Sequence, residues 1–320
     1  MPLLEIRGLK VYYRARDGWV KAVDNVDLNL ERGESLGLVG ESGSGKSTLA
    51  LALMKLLPPQ ARILGGSIIF KGRDLTRLPE EEYRKIRGKE ISMIFQDPMT
   101  SFNPLMKIGD HITEIIMAHE KVSKGEAWER AEKLLETVGI PGERARDYPH
   151  QFSGGMRQRA MIAIALALNP DLLIADEPTT ALDVIVQAQI LDLIRKLKEK
   201  MNMALLFISH DISVVMEVAD RIGVMYAGHL VELADVYSIA EDPLHPYTKG
   251  LIRSIPNILL SDQKLESIPG SPPDLSNPPP GCRFHPRCPY AMDICKREEP
   301  PMIKVNDRYV KCFLYRKGDR

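Results

Sequence analysis

An α/β fold built on a buried parallel sheet is predicted by three segments of this 320-residue chain. The first is the apolar run Ser35-Leu36-Gly37-Leu38-Val39, which leads into Gly40-Glu41-Ser42-Gly43-Ser44-Gly45-Lys46-Ser47, a complete G-x-x-x-x-G-K-[ST] phosphate loop. The second is Leu172-Leu173-Ile174-Ala175, which ends in the two carboxylates Asp176 and Glu177. The third, Ser153-Gly154-Gly155-Met156-Arg157-Gln158, lies just ahead of the second. Short apolar runs closed by turn residues or acids read as strands buried on both faces, as in a parallel sheet covered by helices.

The elements follow in order. Residues 1 to about 95 should give an antiparallel edge sheet and the phosphate-loop strand. Gly40, Gly43 and Gly45 let the backbone turn where a Cβ would forbid it and approach phosphate closely. Ser42 lies within that cradle. The helix expected from Lys46 to about Leu57, stopped by Pro58-Pro59, aims its N-terminus at the anion. Lys46 should reach the β- and γ-phosphate oxygens, the Ser47 hydroxyl should ligate Mg²⁺, and Thr48 should bond near the α-phosphate. A chance glycine turn would not come with strand, loop and helix in this order.

Asp97 to about Leu168 reads mainly as helix. In Trp128 to Val138, for example, Ala131, Leu134, Leu135 and Val138 recur on one face. Ser153-Gly154-Gly155 opens the next helix and is therefore a second anion site. Strands and helices alternate from Asp171 to about Met225. Asp176 leaves its strand at the C-terminal end, where open α/β sheets bind ligands, and can hold the Mg²⁺ shell. Glu177 points to the other face and is the candidate general base for an attacking water. A plain helix-capping acid would not explain two adjacent carboxylates after four buried apolar residues. Prolines become dense from about Ile255, marking a linker and a loop-rich extension. The expected division is an ATPase domain over 1–255, with a helical part near 97–168, and an extension over 256–320.

Composition narrows the function. Lysine plus arginine total 43 and aspartate plus glutamate total 43, so no basic bias points to nucleic acid. No apolar run reaches the roughly 18 residues of a membrane span, and no signal core follows a charged start. A membrane role would have to come through partner subunits.

Taken together, these motifs resemble the ATP-binding subunit of ABC transporters, over residues 1 to about 255. The resemblance implies a RecA-like P-loop NTPase core with an antiparallel β edge subdomain and a helical signature subdomain. It implies that Tyr13 stacks on adenine, that Gln96 senses Mg²⁺ and contacts membrane subunits, and that Ser153-Gly154-Gly155 bind the γ-phosphate held by the opposite subunit. Asp183 would link the two sites and His210 would contact the γ-phosphate. The segments from Phe95 to Pro104 and from Tyr148 to Arg159, with His245-Pro246-Tyr247-Thr248, are similar to the oligopeptide and dipeptide import ATPases. Ser-Gly-Gly-Met resembles the D-type member of their usual D/F pair. Phe152 stands where leucine is common in the family and Ile185 where threonine is. This family implies a second, F-type ATPase chain, two transmembrane permeases, an extracellular binding protein and a peripheral place on the cytoplasmic face of the membrane. Relatives carry oligosaccharides or nickel. A soluble ABC ATPase acting on nucleic acid or ribosomes is the rival class, but it usually has two cassettes or basic arms. A regulatory ATPase with an iron-sensing tail is a third reading.

All four cysteines, Cys282, Cys288, Cys295 and Cys312, lie in the extension. Four thiolates suit a metal group, and their spacing does not choose which. The importer resemblance continues through Gly281-Cys282-Arg283-Phe284-His285-Pro286-Arg287-Cys288-Pro289 and implies a 4Fe-4S cluster, with structural Zn²⁺ as the alternative. Disulfides are disfavoured, because the ATP site must face the cytosol. His285 reads as a loop histidine rather than a fifth ligand. A strand-like stretch from Tyr309 to Phe313 would return Cys312 to the others. The tail is expected to leave nucleotide binding to a separate core.

Overall fold

The computed structural model describes residues 1–16, 18–97, 101–180, 182–255 and 267–316. Pro98, Met99 and Thr100 of the importer-like segment, Ala181 and the linker proline Pro256 lie outside them. The chain forms two compact units: Met1–Leu30, Ser35–Thr76 and Ile208–Arg320 make one, and Glu31–Glu34 with Arg77–Phe207 make the other.

The first unit opens with β1 (Leu4–Ala15) and β2 (Gly18–Leu30), followed by β3 (Ser35–Val39), α1 (Lys46–Leu53), β4 (Ala61–Phe70) and β5 (Arg73–Asp74). An antiparallel sheet runs in the order β2-β1-β4-β5, the edge sheet expected from the sequence. Every residue of β3, its one polar residue Ser35 included, is buried, as in a strand covered on both faces. The helix after the loop is shorter than expected. It ends at Leu53, with Met54 as C-cap and Lys55 at φ 52°, so the chain leaves the helix before Pro58-Pro59 can stop it.

The second unit holds α2 (Glu80–Ile86), β6 (Ile91–Ile94), α3 (Ile108–His119), α4 (Lys124–Thr137), α5 (Gly154–Ala165), β7 (Leu172–Asp176), α6 (Val184–Met201) and the start of β8 (Ala204–Ser209). β6 and β7 pair in parallel, Ile91 opposite Leu172 and Ile94 opposite Ala175. Ile108, Ile112 and Ile116 recur every four residues on α3, and Ala127, Ala131 and Leu135 do so on α4; all six are buried. That spacing gives each helix one apolar stripe, and the stripes form the helical part's own core. Side-chain caps set the helix starts: Ser123 accepts from Glu126 N–H at 3.2 Å, and Asp183 from Val186 N–H at 2.9 Å.

The first unit resumes with α7 (Ile212–Met216), β9 (Arg221–Tyr226), β10 (His229–Asp235), α8 (Val236–Glu241) and α9 (Pro246–Arg253). Two short strands, β11 (Ile303–Val305) and β12 (Arg308–Val310), follow in the extension. β3 pairs in parallel with β9, β9 antiparallel with β10, and β10 antiparallel with β12. The extension therefore adds strands to the same run that carries the phosphate loop. The strand expected over Tyr309 to Phe313 is corrected: β12 stops at Val310, and a 3₁₀ turn takes Phe313–Tyr315. Among the described residues no helix is long and apolar enough to cross a membrane.

Candidate nucleotide site

In the first unit the phosphate loop has the form its glycines demand. Gly45, the N-cap of α1, sits at φ 106°, and a Cβ there would lie 2.1 Å from the Ala22 carbonyl oxygen. Only glycine can take this place. Ser42 and Gly43 are exposed, Gly40 is buried, and Ser47 and Thr48 are half-buried at the start of the helix. Lys46 is buried, and its Nζ donates to the carbonyls of Gly40 at 2.7 Å and Glu41 at 3.1 Å. Tyr13 is half-buried, and its hydroxyl lies 3.1 Å from Thr48 Oγ1. The residue expected beside the adenine and the one expected near the α-phosphate are thus neighbours. His210 is exposed directly after β8.

In the second unit Asp176 is buried at the end of β7. Glu177 follows at φ 47°, a left-handed conformation that costs a residue with a Cβ on the order of 1 kcal/mol or more. The Glu177 Oε2 accepts from Gln96 Nε2 at 3.0 Å and from the Thr180 hydroxyl at 3.0 Å. The candidate base is therefore oriented by the glutamine that the family resemblance ties to the membrane subunits. The simple capping role is not what Glu177 does, since Asp183 caps α6. Ser153 caps α5, accepting from Met156 N–H at 3.3 Å. Gly154 and Gly155 form the first turn, whose N–H groups lack intrahelical acceptors and suit an anion. Ser153, Gly154 and Asp183 are exposed.

The four cysteines line one cavity of about 10 Å³, together with His285 and other residues of the extension and with His245 and Pro246 at the start of α9. Burial, reinforced by the neighbouring thiols, pushes Cys282 up to about 11 and Cys312 up to about 12. Among the described residues no three His, Cys, Asp or Glu side chains are set as a group that could hold a metal ion. The four cysteines expected to share a metal group thus meet on one cavity, but a metal-binding site in the extension is not shown. Gly281, at φ 70°, brings the first cysteine in: a Cβ there would lie 2.4 Å from the Cys295 carbonyl oxygen.

Sequence reasoning set the extension apart from the nucleotide-contacting residues, and the structure corrects this. Arg287, next to Cys288, donates to both oxygens of Glu41 inside the phosphate loop, at 2.8 and 3.0 Å. The Glu41 N–H donates to the Tyr247 hydroxyl at 2.9 Å. Arg283 pairs with the buried Asp24, and Phe284 packs on Tyr226 and Tyr247 with ring centroids 5.1 and 5.5 Å away. Glu41, Tyr247 and Arg287 carried no signal by type or spacing, although Arg287 stands beside a cysteine and Glu41 within the motif.

The family comparisons agree along the whole chain. Residues 23–180 match the ABC transporter family and residues 231–295 match the oligopeptide/dipeptide transporter C-terminal region. An oligopeptide transport ATP-binding protein of Bacillus subtilis is 54% identical over 98% of this chain and 88% of its own length. The corresponding protein of Escherichia coli is 49% identical over 97% of this chain and 93% of its own. Among solved structures, a dimeric post-hydrolysis ATP-binding cassette bound to ADP and Pi superposes with a TM-score of 0.66 at 28% identity, covering 73% of this chain and 98% of that one.

Proposed function

The chain belongs to the ABC transporter ATP-binding family, and from that membership we propose that it hydrolyses ATP to power an importer of oligopeptides or dipeptides. The full-length relatives carry that cargo in their names, and the C-terminal match is to the peptide-transporter branch. In this reading Gly40, Ser42, Gly43 and Gly45 shape the phosphate loop. Lys46 neutralises the β- and γ-phosphates, and Thr48 and Tyr13 bind the rest of the nucleotide. Ser47, Asp176 and Gln96 supply the oxygen donors that Mg²⁺ prefers, and the ion neutralises charge on the phosphates when bound. Glu177 takes a proton from water as its oxygen attacks the γ-phosphorus; ADP leaves, and His210 steadies the transferred phosphate. Ser153, Gly154 and Gly155 serve the ATP of a partner ATPase chain, and Asp183 joins the two sites. That partner is an F-type subunit. Two permeases and an extracellular binding protein complete the importer, with this chain peripheral on the cytoplasmic face.

Cys282, Cys288, Cys295 and Cys312 would hold a 4Fe-4S cluster, or Zn²⁺ in its place. Their meeting on one cavity of about 10 Å³ supports a shared group, although the loops must part to admit it. The observation that carries the catalytic assignment is the Gln96 amide on the Glu177 carboxylate, which ties the coupling segment to the base. Glu177→Gln should keep ATP binding and lower turnover of the assembled importer by about 10²–10⁴-fold. Near-normal hydrolysis by that complex would remove Glu177 from the role.

A further inference from the structure

The phosphate loop contains one carboxylate, Glu41. Left unpaired, it would set a negative charge among groups arranged to hold phosphates. It is only about a quarter exposed at the side chain, so water screens it incompletely. The structure pairs it with a residue of the cysteine-bearing extension. The Arg287 side chain is 6% exposed and spends all five donors: two go to the Glu41 carboxylate, one to the Pro269 carbonyl at 2.8 Å, one to the Tyr226 hydroxyl at 3.3 Å and one to the Ile268 carbonyl at 3.4 Å. A planar guanidinium fixed from several sides holds a carboxylate in one place. The Tyr247 hydroxyl fixes the backbone of the same residue. The other end of the segment is anchored as well, since Arg283 reaches Asp24 and the Ala227 carbonyl. The stretch between Cys282 and Cys288 is therefore held at both ends, by Arg287 on the loop and by Arg283 on β2 and the Ala227 carbonyl.

Resting on the reading of this loop as a nucleotide site, we infer that Arg287 is a positioning residue for it: by neutralising and orienting Glu41, it makes nucleotide affinity depend on docking of the segment framed by Cys282 and Cys288. The extension is then part of the ATP site's electrostatics and not only an appended fold. The coupling works in both directions, because any effect of docking on nucleotide affinity is matched by an equal effect of nucleotide on docking.

The test measures MgADP binding by the full chain. Arg287→Ala should weaken it by about 10-fold, the scale of one unit charge acting over about 10 Å at a protein surface. Arg287→Lys should lose less, because it keeps the charge and gives up only the fork. Adding Glu41→Gln to Arg287→Ala should restore affinity, which a strut without an electrostatic role would not do. Unchanged affinity in Arg287→Ala, or failure of the double variant to recover, would overturn the assignment. If wild type bound no MgADP, the nucleotide-site reading itself would fall. All cysteines lie in the extension, so thiol labelling reports on docking alone. MgADP should slow labelling of metal-free wild type and leave Arg287→Ala unaffected; equal rates with and without MgADP in wild type would refute the coupling.

Discussion

Glu177 and Gly45 show how single residues carry the chemistry. Glu177 accepts a left-handed backbone at φ 47°, and two hydrogen bonds to one carboxylate oxygen fix its aim. Such strain persists only where surrounding contacts determine the conformation. Gly45 takes φ 106° at the entrance to α1, where even a methyl group would meet the Ala22 carbonyl. Gly45→Ala should therefore destabilise the chain by at least about 1–3 kcal/mol and abolish MgADP binding, as urea unfolding and nucleotide titration would record. Normal affinity in a folded Gly45→Ala protein would mean that the loop relaxes more readily than its contacts indicate. The motif announced both residues by type. It did not announce Glu41 and Arg287, because a carboxylate and a guanidinium far apart in sequence give no periodic or spacing signal.

At the scale of elements, α5 and α9 depend on their first turns. Ser153 caps α5, and a Cβ on Gly154 would find only ordinary contact, 3.8 Å from Leu182 Cδ2. Gly154→Asp should thus fold and bind nucleotide as an isolated chain. It should still stop hydrolysis by the assembled importer, because it sets an anion where the partner's phosphate belongs. Loss of binding by the isolated chain would contradict the assignment to the partner's ATP. α9 is capped by His245, whose Nδ1 accepts from Tyr247 N–H at 3.1 Å and must therefore be unprotonated. Burial pushes His245 down to about 3, and burial likewise pushes His229 down to about 4. In the unfolded chain both titrate near about 6.5, so below that pH the unfolded state binds protons that the folded state refuses. Stability should fall as pH drops from about 6.5 towards 4, with His245→Asn, which keeps a capping side chain, showing a shallower fall in thermal unfolding. Burial shifts Glu232 the other way, upward, so its own contribution favours acid and softens the trend. An equally steep fall in His245→Asn would rule out the cap as a source of the slope.

Across the whole chain, the extension is woven into the fold it follows. β12 pairs with β10, Phe284 packs against both Tyr226 and Tyr247, Arg287 reaches Glu41 of the phosphate loop and Arg283 reaches Asp24 of β2. Protein purified anaerobically should contain iron and labile sulfide in nearly equal amounts. Cys312→Ser should lose them and loosen the extension to proteolysis, because metal binding by such a tail is also folding free energy. Stoichiometric zinc without iron would select the other metal, and an unchanged iron content in Cys312→Ser would remove that residue from the site. With Arg287 on Glu41, the same substitution should also weaken MgADP binding. By itself the sequence determined the phosphate loop, the paired carboxylates, the capped signature helix and the strands that carry them. Each is written in local terms, as glycine spacing, apolar runs and helix starts, and local rules leave local traces. Tertiary structure alone decided the early end of α1, the Gln96–Glu177 hydrogen bond, the meeting of four cysteines on one cavity and the Arg287–Glu41 pair. The side-chain contacts depend on which separate segments pack together, and a contact between residues far apart in the chain is set by the summed burial of the whole fold rather than by any pattern near either residue.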